Sequence, residues 1–244
     1  MILYVNGDSH AAAAEAVNPH AWAFDDGDYW NRGKEPHPDN DAVSFGRQLA
    51  NTLGWQYFNH SQAGGSNARI IRTTQEWLDQ QPTVQDVFVL IQWSTWEREE
   101  WFWQGDWLQV NASGADHVPP ELETKYKQYI IDIDWRQVQQ QAHDQIWQFH
   151  QDLTARGVRH FFFNGNNHFD RIPDQPNWQN CYLDPYNAQM TYDSVLRQHG
   201  FQTVNAQSWH FGPDAHCFWA NYLLKYTQLY QQLQPNEIPT DRHS

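Results

Sequence analysis

The chain begins Met1-Ile2-Leu3-Tyr4-Val5-Asn6-Gly7-Asp8-Ser9-His10, a short apolar run followed by a polar turn. Ile2 to Val5 are apolar, with β-branched and aromatic side chains, and Asn-Gly follows, so they predict a buried strand. The alanine-rich run at 11–17 predicts a short helix directly after it. A serine on such a turn carries its hydroxyl above the sheet edge, as nucleophilic serines do. A strand exit with Ser9 as a helix cap explains the same residues.

The composition is that of a globular α/β protein. The chain has 244 residues, 40% of them hydrophobic and only 18% charged, which suits one substantial domain. Its net charge of −14 argues against a nucleic acid or an anionic membrane as partner. The 14 Trp and 11 Tyr offer flat faces that suit sugars or peptides, or they fill the core.

Neither a signal peptide nor a membrane span is predicted. The first residues lack a basic region followed by a long apolar one, and no stretch approaches the roughly 18 apolar residues of a span. Cys181 and Cys217 imply no disulfide framework, so a reducing compartment, the cytoplasm, is the expected location.

Strands and helices alternate along the chain. Apolar runs predict strands at 2–5, 55–58, 86–91, 158–163 and 201–204, with helices between them, among them 41–54 (capped by Asp41), 134–156 and 186–199. This order predicts a three-layer α/β/α fold with a five-stranded parallel sheet and right-handed crossovers. In the flavodoxin-like strand order 2-1-3-4-5, ligands bind at the carboxyl ends of the first and third strands. Those ends carry Ser9 and the Gln92–Thr95 stretch.

A single domain is predicted over 1–236, followed by a tail at 237–244. Insertions near 18–40 and 99–127 leave from the site edge or close to it, and long ordered loops are often functional. The second insertion is predicted to be irregular. Its Trp101, Trp103 and Trp107 line a groove or cover the sheet edge.

Four short blocks, in order over nearly the whole chain, resemble those of the SGNH/GDSL hydrolases, an α/β/α family of serine esterases. They are Gly7-Asp8-Ser9-His10, Asn59 to Gly64, Gln92-Trp93-Ser94-Thr95, and His210-Phe211-Gly212-Pro213-Asp214-Ala215-His216. The helix at 41–54, the Gly65-Ser66-Asn67 turn and the Trp93–Arg98 segment are similar to SGNH-like proteins of bacteriophages and bacteria. The ordered set is more specific than any one block. The resemblance implies an esterase that needs no cofactor.

Carried onto this chain, the resemblance makes Ser9 the nucleophile and His210 the general base. The N–H groups of Ser9 and Gly64 would hold the oxyanion. Two departures stand out. Gln207 occupies the position of the Asp that orients the family's His, a loss that costs around 10⁴ in rate in a triad. Ser94 or Thr95 replaces an oxyanion Asn, with Asn67 able to reach in, and losing such a donor costs roughly 10²–10³.

Other site residues are predicted with alternatives. His216, with Asp214 beside it, is a second candidate for the base, or it caps and packs. Arg98 is expected to pair with Glu76, Glu97 or a helix end. No His-x-x-x-His pair has a third ligand, so no metal site is predicted among the 13 histidines. The predicted substrate contacts are His10, Gly65, Trp93, Asn164 and Asn166.

Two functions are predicted. The first is an SGNH-type hydrolase that cleaves an ester, such as a short acyl group on a carbohydrate, through Ser9 and His210. The second is a non-catalytic SGNH-like binding or structural protein, such as a phage virion or glycan-recognition component. It rests on Gln207, on the missing Asn and on the Trp-rich insertions. The sequence predicts no oligomeric state.

Overall fold

The structure is a computed structural model that describes residues 1–17, 36–112, 118–172 and 174–226. The predicted tail and most of the insertion at 18–40 lie outside the described residues. In chain order the elements are β1 (Ile2–Asn6), α1 (Pro38–Val43), α2 (Phe45–Leu53), β2 (Gln56–Asn59), α3 (Asn67–Asp79), β3 (Val87–Trp93), β4 (Glu99–Trp103), β5 (Asp106–Val110), α4 (Glu123–Asp132), α5 (Trp135–Ala155), β6 (Arg159–Asn164), α6 (Tyr192–Gln198) and α7 (Pro213–Tyr226).

A parallel sheet of four strands, in the order β2-β1-β3-β6, forms the centre of the described chain. Every residue of β3 is buried, as expected for a strand covered on both faces. Val5 of β1 lies opposite Asn59 and Leu90 on its two neighbours, so the carboxyl ends of these strands meet at one edge. The predicted strand order holds for these four strands, and β1 and β3 are adjacent at the switch point.

Helices cover both faces of the sheet. Alternate residues of β1 point to opposite sides, so Leu3 packs with α2 and α7 while Tyr4 packs with α3 and α5. This gives the three predicted layers. The predicted helix at 134–156 is present as α5, and Asp134 caps it by accepting the N–H groups of Arg136 and Gln137. No helix among the described residues is long and apolar enough to cross a membrane.

The predicted fifth strand at 201–204 is not part of the sheet. Thr203 makes an isolated antiparallel bridge with Phe211, and the N–H of Val204 donates to the His210 carbonyl. This short run therefore hydrogen-bonds the His210 loop, and its backbone is not available to a sheet edge. At the outer edge of β6, Tyr182 forms a single parallel bridge with Phe162.

The alanine-rich run after Ser9 was predicted to be helical and is a series of turns. Ala13 and Glu15 have positive φ angles of 51° and 62°, a conformation that no right-handed helix contains. The prediction rested on the helix propensity of alanine, and tertiary contacts of Glu15 override it here.

Two predicted helices are divided by cap residues. The helix at 41–54 is two helices, because the Ser44 hydroxyl accepts the N–H of Arg47 and starts α2. Asp41, the predicted cap, instead forms an ion pair with Arg47. The helix at 186–199 is a 3-10 turn, Ala188–Met190, followed by α6, which Thr191 caps.

The Trp-rich insertion, predicted to be irregular, contains an antiparallel hairpin of β4 and β5 and then α4. Trp101 is buried against the rings of Tyr126 and Tyr129 on α4. The hairpin is attached to the start of α3, because the Gln109 side chain accepts the N–H of Ser66. It therefore lies beside the edge of the sheet where the predicted site is located.

Candidate active site

The turn after β1 is held tightly between β1 and β3. A Cβ on Gly7 would lie 2.7 Å from the Cβ of Ala11 and 2.8 Å from Oε1 of Gln92, so a side chain does not fit there. The N–H of Asp8 donates to that same Gln92 oxygen at 3.1 Å. Ser9 is buried, and its carbonyl accepts the N–H of Ala14. These contacts position Ser9 at the carboxyl end of the sheet, where the sequence predicted it.

The loop after β2 lies against the same turn. The N–H of Gln62 donates to the Gly7 carbonyl at 3.1 Å, and a Cβ on Gly65 would lie 3.5 Å from that oxygen. Gly64 has a φ of 73°, which favours glycine. Among the described residues, no protein acceptor binds the N–H of Ser9 or of Gly64. Both predicted backbone oxyanion donors are therefore unused by the fold.

The predicted side-chain oxyanion donors are mostly engaged elsewhere. Asn67 brackets the Ser94 backbone, since its Oδ1 accepts the Ser94 N–H at 2.9 Å and its Nδ2 donates to the Ser94 carbonyl at 3.4 Å. The Ser94 hydroxyl donates to Oδ2 of Asp8 at 3.0 Å. The Thr95 hydroxyl is buried and has no hydrogen-bond partner within the described chain. Of these three side chains, Thr95 is thus the one that makes no hydrogen bond within the described residues.

Asp8 and Arg98 form a buried ion pair beneath the turn. Nη1 of Arg98 lies 3.0 Å from Oδ2 of Asp8 and 2.9 Å from the Ser94 hydroxyl. Burial raises the pKa of Asp8, but the positive charges of protonated His10 and of Arg98, together with two hydrogen bonds, outweigh burial and leave the pKa lowered. Arg98 was predicted to pair with Glu76, Glu97 or a helix end. Glu76 pairs with Arg72 instead, because both lie on one face of α3.

Removing the cation of this pair is expected to destabilise the protein strongly. Arg98→Met leaves the Asp8 carboxylate buried without its cation, which costs about 3–5 kcal/mol in the free energy of unfolding. Denaturant unfolding measures it. Arg156→Met, which breaks an exposed pair with Asp79, is the control and should cost under about 1 kcal/mol. Equal losses in the two variants would contradict the buried pair.

The His210 imidazole contacts the carboxylate of Glu15, a residue that was not predicted to belong to the site. Nδ1 of His210 lies 2.8 Å from Oε2 of Glu15, and both side chains are buried. The Ser208 hydroxyl also donates to Oε2 of Glu15, and it accepts the His210 N–H at 2.9 Å. A carboxylate can only accept, so Nδ1 of His210 carries a proton, and in the neutral tautomer that this contact favours Nε2 is the unprotonated nitrogen.

Glu15 therefore makes the contact with His210 that the sequence resemblance would place at an Asp in position 207. Gln207 is exposed, and its N–H donates to the Asn205 side chain. The signal for Glu15 was a single acid inside an alanine run directly after the proposed nucleophile. Glu15 also has a positive φ of 62°, a strained conformation for a residue other than glycine.

His10 connects the Ser9 turn to the His210 loop. Its ring centroid lies 5.3 Å from that of His210 and 5.4 Å from that of Tyr192. Burial lowers the pKa of His10 to about 4, although the charge of Asp8 raises it. Nδ1 of His10 and the hydroxyl of Tyr192 have no hydrogen-bond partner among the described residues. At neutral pH His10 is therefore uncharged, and its ring lies between those of His210 and Tyr192 and the Ser9 turn.

His216, the second candidate for the base, has a structural role in the described chain. Its Nδ1 accepts the N–H of Phe45 at 3.3 Å, and the two rings stack with centroids 5.9 Å apart. Burial lowers the pKa of His216 to about 3. His216 thus accepts a hydrogen bond from one of the first backbone N–H groups of α2, which have no acceptor within the helix. Asp214 is exposed in the first turn of α7.

The other predicted substrate contacts divide into core and surface residues. Trp93 is fully buried between the rings of Phe149 and Phe162. Asn164 is buried, and its side chain bonds the Tyr182 hydroxyl and the Pro185 carbonyl. Asn166 is exposed just beyond it.

Residues 33–151 match a family described as a family of unknown function, DUF6071. No curated protein matches the sequence. Similar solved structures include the psychrotrophic esterase EstA from Pseudoalteromonas sp., with 9% identity, a TM-score of 0.43, and coverage of 96% of this chain and 97% of that one. A carbohydrate esterase family 2 enzyme of Corynascus thermopiles (Myceliophthora fergusii) has 12% identity and a TM-score of 0.42, covering 95% of this chain and 66% of that one. LAE5, an alpha/beta hydrolase from the metagenome of Lake Arreo, Spain, has 13% identity and a TM-score of 0.41, covering 91% and 93%.

Proposed function

We propose that this protein is a serine ester hydrolase in which Ser9 is the nucleophile, His210 the general base and Glu15 the residue that orients His210. The observation that carries the proposal is the buried 2.8 Å contact between Nδ1 of His210 and Oε2 of Glu15. Glu15 lies on the turn that follows Ser9, and His10 on the same turn contacts the His210 ring. The carboxylate, the imidazole and the serine turn therefore belong to one packed unit.

The chemistry follows the order of a serine esterase. Nε2 of His210 accepts the Ser9 proton as the Ser9 oxygen bonds to the ester carbonyl carbon. The N–H groups of Ser9 and Gly64 hold the negative oxygen. The C–O bond to the alcohol then breaks, and His210 returns the proton to the departing alcohol. Water then attacks the acyl carbon as His210 takes its proton, the bond to the Ser9 oxygen breaks, and His210 returns the proton to Ser9.

An acyl group on a carbohydrate is the substrate class we favour. Trp209, directly before His210, has 69% of its surface exposed. An exposed indole face beside the base provides apolar area on which a sugar ring can stack. The net charge of −14 favours a neutral substrate over an acidic one.

A non-catalytic glycan-binding protein is the second candidate. It is favoured by the engagement of Asn67 and Ser94, which leaves Thr95 as the available side-chain donor of those predicted. The hairpin also exposes aromatic surface, since 63% of Phe102 and 40% of Trp107 are accessible. The two rings lie 5.2 Å apart and the Arg72 guanidinium stacks on Trp107. Such a surface suits a saccharide.

Labelling with a fluorophosphonate probe tests the first candidate without knowledge of the substrate. The probe reacts only with an activated serine, so the wild-type protein should be labelled and Ser9→Ala should not. Ser194→Ala, in α6, is the control and should be labelled like the wild type. Turnover of p-nitrophenyl acetate and of acetylated sugars should follow the same order.

The outcomes separate the two candidates. A folded wild-type protein that takes no label, or a Ser9→Ala variant that takes as much label as the wild type, refutes the catalytic proposal. Binding on a glycan array without turnover would then support the second candidate.

A further inference from the structure

A cluster of His150, His160 and Cys181 lies away from the Ser9 turn. His150 belongs to α5, His160 to β6, and Cys181 to the segment that pairs with the outer edge of β6. One ligand atom from each lies within 4.8 Å of the others, and all three residues are buried. His160 is in register with Val89, whereas Trp93, near the candidate active site, pairs with Asn164. The cluster is therefore near the opposite end of β6 from that site.

The His160 ring is oriented as a metal-binding histidine is. Its Nδ1 donates to the Val158 carbonyl at 2.8 Å, which leaves Nε2 without a proton. Metal ligands usually have such a bond from the other ring nitrogen to a carbonyl or carboxylate, because it fixes the tautomer and the ring plane. Nε2 faces Nδ1 of His150 at 2.8 Å. In the metal-free protein His150 must donate that proton.

The backbone of Cys181 is fixed at the edge of β6. Its carbonyl accepts the N–H of Phe162 at 2.8 Å, and its N–H donates to the Trp178 carbonyl at 2.8 Å. The thiol lies 3.6 Å from the Gln179 carbonyl oxygen, a long contact. The sulfur lies within 4.8 Å of a ring nitrogen of each of the two imidazoles.

We propose that His150, His160 and Cys181 bind a thiolate-preferring divalent cation of the zinc type. Two imidazoles and one thiolate form the donor set that zinc favours, and a water or the Gln179 carbonyl can occupy the fourth position. Tetrahedral bonds of about 2.0 Å to nitrogen and about 2.3 Å to sulfur separate the ligand atoms by roughly 3.3–3.6 Å. Shifts of about 1 Å bring the three atoms to that spacing.

Binding would release one proton. Burial raises the pKa of the Cys181 thiol to about 11, so the sulfur is protonated at neutral pH and must lose that proton to ligate. Burial lowers the pKa of both histidines, that of His160 to about 4, so both are already neutral. The proton on Nδ1 of His150 moves to its Nε2, and the cation takes its place.

The bound cation would connect a helix, a strand and the loop that covers them. The rings of Trp147 and Trp178 lie 5.2 Å and 5.6 Å from the His150 ring, so these neighbours are apolar and would shield the cation from bulk solvent. This is the environment of a structural site, and it predicts a stabilising role. A His-x-x-x-His pair on one helix would have predicted a metal site from the sequence. These three ligands come from separate segments, so that pattern does not reveal them.

Titration of the chelator-treated, full-length protein with Co²⁺ tests the proposal. We expect about one Co²⁺ per chain, with an ultraviolet sulfur-to-cobalt band and visible bands of tetrahedral intensity that Zn²⁺ abolishes by competition. About one proton should be released per cation near pH 7. Cys181→Ser and His160→Gln should each lower the affinity by about 100-fold or more. Cys217→Ser and His168→Gln, at exposed positions, should match the wild type.

One measurement needs no variant, so a misfolded mutant cannot obscure the result. X-ray absorption of the zinc-loaded wild-type protein should show one sulfur at about 2.3 Å and nitrogen neighbours at about 2.0 Å. A ligand shell without sulfur, or a cobalt–sulfur band that persists in folded Cys181→Ser, overturns the proposal. So does failure of the wild-type protein to bind either cation.

Discussion

Glu15→Gln is expected to lower kcat/KM for ester hydrolysis by about 10⁴-fold, the effect of removing the orienting carboxylate from a serine triad. The Glu15 carboxylate accepts the proton on Nδ1 of His210, which favours the tautomer with an unprotonated Nε2, the form that the proposed general base requires. A glutamine amide of the same shape can donate to Nδ1 and so favour the opposite tautomer, with the proton on Nε2. Initial rates with p-nitrophenyl acetate at neutral pH measure the change.

Position 207 provides the matched control for this experiment. Gln207 stands where the SGNH family has its Asp, but it is exposed. Gln207→Ala should therefore keep kcat/KM within about 2-fold of the wild type, as surface changes usually have small effects. Glu15→Asp, which keeps the charge, should recover part of the activity that Glu15→Gln loses. A fully active Glu15→Gln beside an inactive Gln207→Ala would reverse the assignment.

The second large effect is a loss of stability in mild acid. Burial lowers the pKa of His10 to about 4 and that of His216 to about 3, whereas an unfolded histidine titrates near 6.5. The unfolded chain therefore binds these protons first. The stability that the two neutral rings contribute is fully present above pH 6.5 and is lost as the pH falls toward the folded values.

From pH 6 to pH 4.5 these two histidines should lower the free energy of unfolding by about 3 kcal/mol. The groups near them do not reverse the sign, because Asp8 and Asp193 raise the pKa of His10 by less than burial lowers it, and His10 and His210 lower that of His216. Urea unfolding at a series of pH values measures the slope.

His216→Gln tests the origin of the slope. Its amide oxygen can still accept the Phe45 N–H, but it cannot take a proton, so the loss between pH 6 and pH 4.5 should shrink by about 1.5–2 kcal/mol. His168→Gln, at an exposed position, should leave the slope unchanged. A His216→Gln slope equal to that of the wild type would contradict a buried neutral His216.

Much of the sheet could be predicted because its signals are local. The apolar runs of β1, β3 and β6 and the stop at Gly157, with a φ of 69°, each depend on neighbours in the sequence. Two segments depart from their local signals. The alanine run after Ser9 has high helix propensity, yet contacts made by Glu15 with the distant His210 loop hold it in turns. Residues 201–204 have the composition of a strand, but their backbone bonds serve the loop.

Three features could be predicted from the sequence alone. They are the parallel order of the strands, the position of Ser9 after β1, and a loop containing His210 before the last helix. They could be predicted because strand period, glycine turns and short motifs are properties of adjacent residues. Only the tertiary structure decided that Glu15 meets His210 across 195 positions, that Arg98 neutralises Asp8, and that His150, His160 and Cys181 converge. Each of these contacts joins groups that become buried only when the layers pack, and buried charges and polar atoms must be paired. The partners are distant in the sequence, so no local pattern predicts them.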